Sequence, residues 1–178
     1  MTDDQRMARI AAGEEAAFRE LVEAWEQPVF AFLARMLGNR EDARDLAQET
    51  FVRVFEQASR YRPEGKFRSW LFRIAGNFAR TALRRRKVLQ WVGLDSAQNL
   101  VRDTGESPDG AIERRERDRR LQAALDKLPA RQKEAIVLQR FHEMSQHEVA
   151  GAMGTSVPAV ESLLHRGMQA LRTELVRE

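Results

Sequence analysis

Asp45 and Glu49 stand four residues apart, so on a helix they share one face, as the two groups of a paired-carboxylate catalyst would. Nothing else in the chain completes such a site. There is no Gly-rich phosphate loop, no zincin or Rossmann pattern and no nucleophile set beside a base, and an exposed acidic face accounts for the pair better. His142 and His147 are five apart without a third ligand nearby, too few for a closed zinc site. The expectation is therefore no catalytic residue, no metal and no cofactor. The absence of Cys excludes disulfides and thiolate sites and suits a reducing cytoplasm.

Binding chemistry is better represented. The segment Phe67–Lys87, FRSWLFRIAGNFARTALRRRK, holds seven Arg or Lys and no Asp or Glu. At helical spacing Phe67, Leu71, Ile74, Phe78 and Ala82 form one apolar stripe. Arg73, Asn77, Arg80 and Arg84 form a second stripe away from the first, with Trp70 between the two. A merely solvated face would interleave Glu with the cations for i,i+4 support. An unbalanced one suits a phosphate backbone, with an affinity that falls steeply with salt. Asn77 can hydrogen-bond a base edge. Trp70 either stacks on an unpaired base, worth ~1–3 kcal/mol in single-strand binders, or simply packs.

The segment SQHEVAGAMGTSVPAVESLLHR carries a second signal. Ser145 and Glu148 have capping-box spacing. Ala150, Gly154, Val160 and Leu163 then fall where a helix-turn-helix places its small contact residue, its turn glycine and the apolar residues that lock its second helix. Thr155 or Ser156 would cap that helix, and Pro158 is tolerated in its first turn. The N-terminal residues of such a helix meet base edges in the major groove: Ser156, Val157, Ala159, Glu161 and Ser162, with His165 and Arg166 one turn on. An ordinary helical hairpin with a Gly turn is the plainer alternative.

These residues need helices to hold them, and nearly every periodic segment in the 178 residues has helical spacing. In 14–37 the apolar positions run from Phe18 to Leu37, Pro28 should kink or break the helix, and Gly38-Asn39 should end it. The next helix begins near Arg40–Asp42 and should bury Ala43, Leu46, Ala47, Thr50, Phe51, Val54, Phe55 and Ala58. Residues 60–66 form a loop. Over 88–110 the periodicity dissolves into Gly, Asp, Ser and Pro, as in a linker. Helices follow over 111–128, 130–141, 145–153 and 157–175. The expected fold is all-α: two small helical domains, 1–87 and 111–178, joined by a flexible linker over 88–110, the C-terminal one a helix-turn-helix. With no signal-peptide pattern and no apolar run of ~20 residues, membrane insertion is not expected and a cytoplasmic location is.

In their order, DARDLAQETFVRVF, the 67–87 segment, LPARQKEAIVLQRF and the helix-turn-helix segment resemble a bacterial RNA polymerase sigma factor of the extracytoplasmic-function type, in the sigma-70 family. The resemblance covers nearly the whole chain. It implies a promoter-specificity subunit that directs transcription initiation in response to a stress or envelope signal. It implies core RNA polymerase and promoter DNA, duplex and melted, as partners, and an anti-sigma factor as a restraint. Asp45, Gln48 and Glu49 would dock on core polymerase. Arg60, Arg62 and Lys66 of the loop, with Trp70, Arg73, Asn77, Arg80 and Arg84, would hold the melted minus-ten element. Ser156, Val157, Ala159, Glu161, Ser162, His165 and Arg166 would read the minus-thirty-five element. Many relatives carry Lys or Arg where this chain has Glu161, Leu163 and Met168, which leaves Arg166, Arg172 and the helix cap to hold phosphate. A linker of about 20 residues reaches at most ~70 Å, enough for promoter elements ~50 Å apart. The alternative is a helix-turn-helix regulator that binds duplex DNA without the polymerase.

Overall fold

The computed structural model describes residues 1–94 and 110–177. Among them the α-helices are, in order, α1 (Asp3–Ala11), α2 (Glu15–Leu37), α3 (Arg40–Gln57), α4 (Phe67–Trp91), α5 (Gly110–Asp126), α6 (Ala130–Ile136), α7 (Gln146–Met153) and α8 (Val157–Val176). A 3-10 turn follows α3 and a π-type turn, Val137–Phe141, follows α6. The ends are set by local chemistry. Asn39 accepts from the Asp42 amide at 3.0 Å to start α3, and Ser145 and Glu148 form the expected reciprocal capping box on α7. Ser156, rather than Thr155, caps α8 by accepting from the Ala159 amide. Caps of this kind contribute about 1 kcal/mol each.

Three expectations change. Pro28 does not end α2, which continues from Glu15 to Leu37. The carbonyl that the missing amide would have bonded belongs to Ala24, which is exposed to solvent, and buried Leu21, Val29, Phe32 and Leu33 hold the helix on both sides. Phe55 is 53% exposed rather than buried; it meets Phe18 edge-on at 5.2 Å, at the rim of the α2–α3 contact. The helix α4 also runs four residues into the stretch expected to be linker, α5 starts on its last residue, and 95–109 lie outside the described residues.

Helices α1–α4 pack around Leu21, Phe32, Leu33, Met36, Val54 and Leu71, and α5–α8 around Leu125, Ile136, Leu138, Val149 and Val160. The two sets share one continuous apolar cluster because α4 is buried on two sides. Besides the predicted stripe, Phe72, Ala75, Gly76 and Ala79 are buried, and α4 makes a broad contact with α7 and a smaller one with α6.

The C-terminus of α2 ties the halves together. Its last carbonyls have no partners within the helix and carry the negative end of its dipole. Gln122 donates to the Arg35 carbonyl at 2.9 Å, Lys133 to that of Met36 at 2.7 Å and Arg86 to that of Leu37 at 2.7 Å. Two of these three donors come from the second half. Burial pushes the Lys133 amine down from its ordinary range, against the pull of Asp126, whose carboxylate it meets at 2.6 Å.

His142, just past the π-type turn, packs its ring against Phe72 (5.0 Å) and Phe32 (5.9 Å) of the first half, and its carbonyl accepts from Arg68. Burial, with the Arg68 and Arg35 cations nearby, lowers its pKa from 6.5 to about 4. The ring is thus neutral when docked, and any state that exposes it binds a proton more readily. Docked stability is complete above pH 6.5 and is lost as pH falls toward 4, by up to roughly 2 kcal/mol at pH 5. Chemical denaturation at pH 7.5 and 5.0 should therefore show a smaller acid loss in His142→Phe than in the wild type, by up to about that amount.

Candidate nucleic-acid and polymerase-binding surfaces

In the helix-turn-helix, α7 closes on Gly154 at φ +62°, a left-handed turn that the lack of a side chain makes easy, and α8 starts three residues later. Val160, Leu164 and Leu171 lock α8 inward. Gly167 lets it approach α6, where an added Cβ would meet the Ile136 side chain at 2.8 Å. The opposite face presents Glu161, Ser162, His165 and Arg166 to solvent, with Ser156 exposed at its start. Val157 and Ala159 are half-buried at the base of that face. The seven residues expected to face duplex DNA thus lie on the first three turns of one helix, and α8 makes its main contacts with α5, α6 and α7.

The second surface lies on α4 and the loop before it. Arg60, Arg62 and Lys66 are exposed on that loop. It is anchored by Asp4 of α1, which accepts from the Tyr61 hydroxyl at 2.5 Å and the Gly65 amide at 2.7 Å. Burial and the Asp4 carboxylate push the Tyr61 phenol above its ordinary range, so it remains a donor. Tyr61 meets Trp70 at 4.8 Å, and Phe67 lies 5.8 Å from Trp70, a ring cluster with Trp70 half-buried at its edge. Packing and an open ring face therefore coexist at Trp70. Along the helix, Arg73, Asn77 and Arg84 are exposed, whereas Arg80 is only 18% exposed and grips Glu134 of α6.

The third surface is on α3, where Asp45, Gln48 and Glu49 are all exposed. They line a shallow groove with Val52 and Glu56, and Val52 is an exposed apolar residue at 56%. Glu49 also borders a deeper groove between α3 and α4 that is lined by Arg53, Trp70, Arg73, Asn77 and Arg85. Glu49 and Arg53 on the α3 bank thus face Arg73, Asn77 and Arg85 on the α4 bank of one cleft. Arg53 and Arg85 were not among the expected binding residues. Arg53 lies one helical turn from Glu49, which is enough to place it on that bank; Arg85 falls in line with the apolar stripe of α4, three residues after Ala82, and so lies outside the cationic one. The Asp4 anchor is separated from its loop by 57 residues or more and has no sequence signal at all.

Residues 21–88 match the Sigma-70 region 2 family, and residues 118–171 match Sigma-70, region 4. Over 179 aligned positions the chain is 31% identical to the ECF RNA polymerase sigma factor SigW of Bacillus subtilis, covering 96% of this chain and 95% of that one. It is 34% identical to the RNA polymerase sigma factor CarQ of Myxococcus xanthus, covering 97% and 96%. Its fold is similar to that of CnrH in complex with the cytosolic domain of CnrY, with a TM-score of 0.72 at 30% identity over 99% of this chain and 98% of that one. The sigma factor RpoE in complex with the anti-sigma factor NepR, from Bartonella quintana, has a similar fold, with a TM-score of 0.70 at 22% identity over 89% and 96%. Two matched regions in this order, within relatives aligned along nearly the whole chain, identify it: the chain belongs to the sigma-70 family of RNA polymerase sigma factors, of the extracytoplasmic-function type, and is a promoter-specificity subunit that directs transcription initiation.

Proposed function

We propose that the three surfaces divide the work of initiation. Asp45, Gln48 and Glu49 of α3 dock on core polymerase, and α8 reads the minus-thirty-five duplex. The 60–66 loop and the α4 stripe hold the melted minus-ten strand. The two domains are 1–87 and 111–178. The observation that carries this division is the cleft between α3 and α4, in which Glu49 and Arg53 on the α3 side offset one another while Arg73 and Arg85 on the α4 side have no carboxylate beside them on their helix. A strand laid along the cleft meets most of its cations on α4, and a protein partner is left with Asp45, Gln48 and Glu56 in the neighbouring groove on α3. The role is one of binding and positioning, with no reacting group. A regulator that binds duplex DNA alone would have no use for the carboxylate-free face of α4, and the match to region 2 argues against it.

The chain acts in the cytoplasm, where its polymerase and promoters are; among the described residues no helix is long and apolar enough to cross a membrane. A stress or envelope signal controls it through an anti-sigma factor, by analogy with the sigma factor RpoE, which is seen in complex with the anti-sigma factor NepR.

The docking role predicts that Asp45→Arg combined with Glu49→Arg abolishes capture of core polymerase while unfolding free energy moves by no more than ~0.5 kcal/mol, since both sites are exposed. Wild-type capture would remove α3 from the interface. On α8, Arg166→Ala should weaken binding on every duplex, whereas Glu161→Ala should alter which duplexes a random pool yields. An unchanged preference would leave Glu161 a surface residue. Trp70→Ala should slow promoter opening, read by permanganate reactivity of thymines in reconstituted holoenzyme, more than it weakens initial duplex binding. Normal opening would mean that the ring serves only the Tyr61–Phe67 cluster.

A further inference from the structure

The last turns of α4 project from the body of the protein. Arg86 ties the helix to that body, donating to the Leu37 carbonyl at 2.7 Å and to Asp42 at 3.2 Å, and beyond it every residue to Leu94 is exposed. Trp91 is 88% exposed, with Val88, Leu89, Val92 and Leu94 bare beside it. These side chains are held at a formed helix end. Gly93 turns the chain back at φ +72°, and the Leu94 amide donates to the Leu89 carbonyl at 2.9 Å. Arg84, Arg85 and Lys87 are exposed just behind them, and there is no Asp or Glu from Phe67 to Leu94. All of the apolar tip but Val88 lies past the residues that match region 2, and the three binding surfaces leave its apolar side chains unused.

The tip is ordered by depth. At about 100° per residue Val88, Leu89, Trp91 and Val92 cover an arc of about 160°, with Gln90 on the other side. At about 1.5 Å per residue the three cations stand about 6–10 Å behind Trp91 along the axis. DNA offers phosphate to the cations and a base to one ring, but it has no surface to cover four aliphatic side chains. A bilayer with anionic headgroups offers both in the same order, phosphate outermost and hydrocarbon some 5–10 Å below. Trp is enriched at that boundary, where its ring can meet both layers. We propose that the tip of α4 is a membrane-surface anchor, seating Trp91 and its apolar neighbours at the headgroup boundary of an anionic bilayer, with Arg84, Arg85 and Lys87 on the lipid phosphates. The chain lies on the bilayer and does not cross it; among the described residues no helix is long and apolar enough to do so. An anchor this small binds reversibly, so it maintains a surface-bound pool in exchange with the free chain.

Flotation of the full-length chain with lipid vesicles tests the anchor. At low salt the chain should float with vesicles of about 40% phosphatidylglycerol in phosphatidylcholine, should not float with phosphatidylcholine alone, and should be released by about 0.5 M salt. Inorganic phosphate at matched ionic strength should not displace it, because phosphate alone supplies no hydrocarbon. Lys87→Gln should weaken partition about fivefold, and Trp91→Ala at least as much. Both sites are exposed and outside the three binding surfaces, so both variants should still capture core polymerase and bind a mixed-sequence single strand. Lipids brominated near the top of the acyl chain should quench the tryptophan fluorescence of the bound wild type, and Trp91→Phe should remove most of that quenching. Equal flotation with the two vesicles, displacement by inorganic phosphate, partition that survives either change, or quenching that Trp91→Phe leaves in place would each overturn the anchor. Intact partition in Trp91→Ala with impaired strand or polymerase binding would give the tip to that partner instead.

Discussion

Glu134 is fully buried, and a carboxylate in that position must meet a cation or give up its charge. Arg80 meets it, and that requirement fixes much else. Arg80 is on α4, so α6 must lie along α4. Residue 76 has to be glycine-sized to admit the carboxylate, and Lys133, the next residue on α6, is carried to the C-terminus of α2. A pair of this kind contributes little net stability compared with apolar groups of the same size, because both ions are desolvated. What it does is penalise alternatives. Any other seating of the second half would leave a buried charge unmatched. The apolar residues around it, Phe72, Ala75 and Ala79 among them, supply the non-directional part of the contact.

The two halves belong to one chain, and that changes what the contact between them has to do. Association within a chain proceeds at an effective concentration on the order of millimolar for short tethers, so an interface too weak to hold separate molecules together can stay closed. It can also be opened by modest competition.

Local features were the most legible from sequence. Asn39, the Ser145–Glu148 pair, Ser156, Gly38 and Gly154 act on backbone groups within a few residues, and each marks a helix end near where it was expected. The apolar stripe of α4 was legible for the same reason, from Phe67 to Ile74. The second buried face was not. Phe72, Ala75, Gly76 and Ala79 do lie three and four apart, with three small residues among them, which is a mark of close helix approach. The cations flanking that face drew attention to phosphate instead. Lys133-Glu134 reads as part of a solvated surface, because neighbouring opposite charges are commonest there, and only the tertiary structure reveals that both are buried. Pro28 was misleading because its usual cost applies to an isolated helix, whereas α2 is held by packing on either side of it. The candidate binding residues were placed on the correct elements, and what the sequence left out was which of them the second half covers.

Asp4 lies outside the matched region, on a short N-terminal helix, yet both of its carboxylate oxygens are committed to the loop that precedes α4. A loop with three cations and a glycine would otherwise sample many conformations, and each ordered residue costs roughly 1–2 kcal/mol in lost backbone entropy. Here part of that loss is incurred when the chain folds and not when DNA arrives. On the proposed assignment of this loop to the melted strand, it would meet a base as a formed pocket edge, and the free energy of contact would go into discrimination between bases instead of into ordering the protein. A carboxylate some 60 residues away in the chain thus bears on how sharply a promoter is chosen, though it touches no DNA itself.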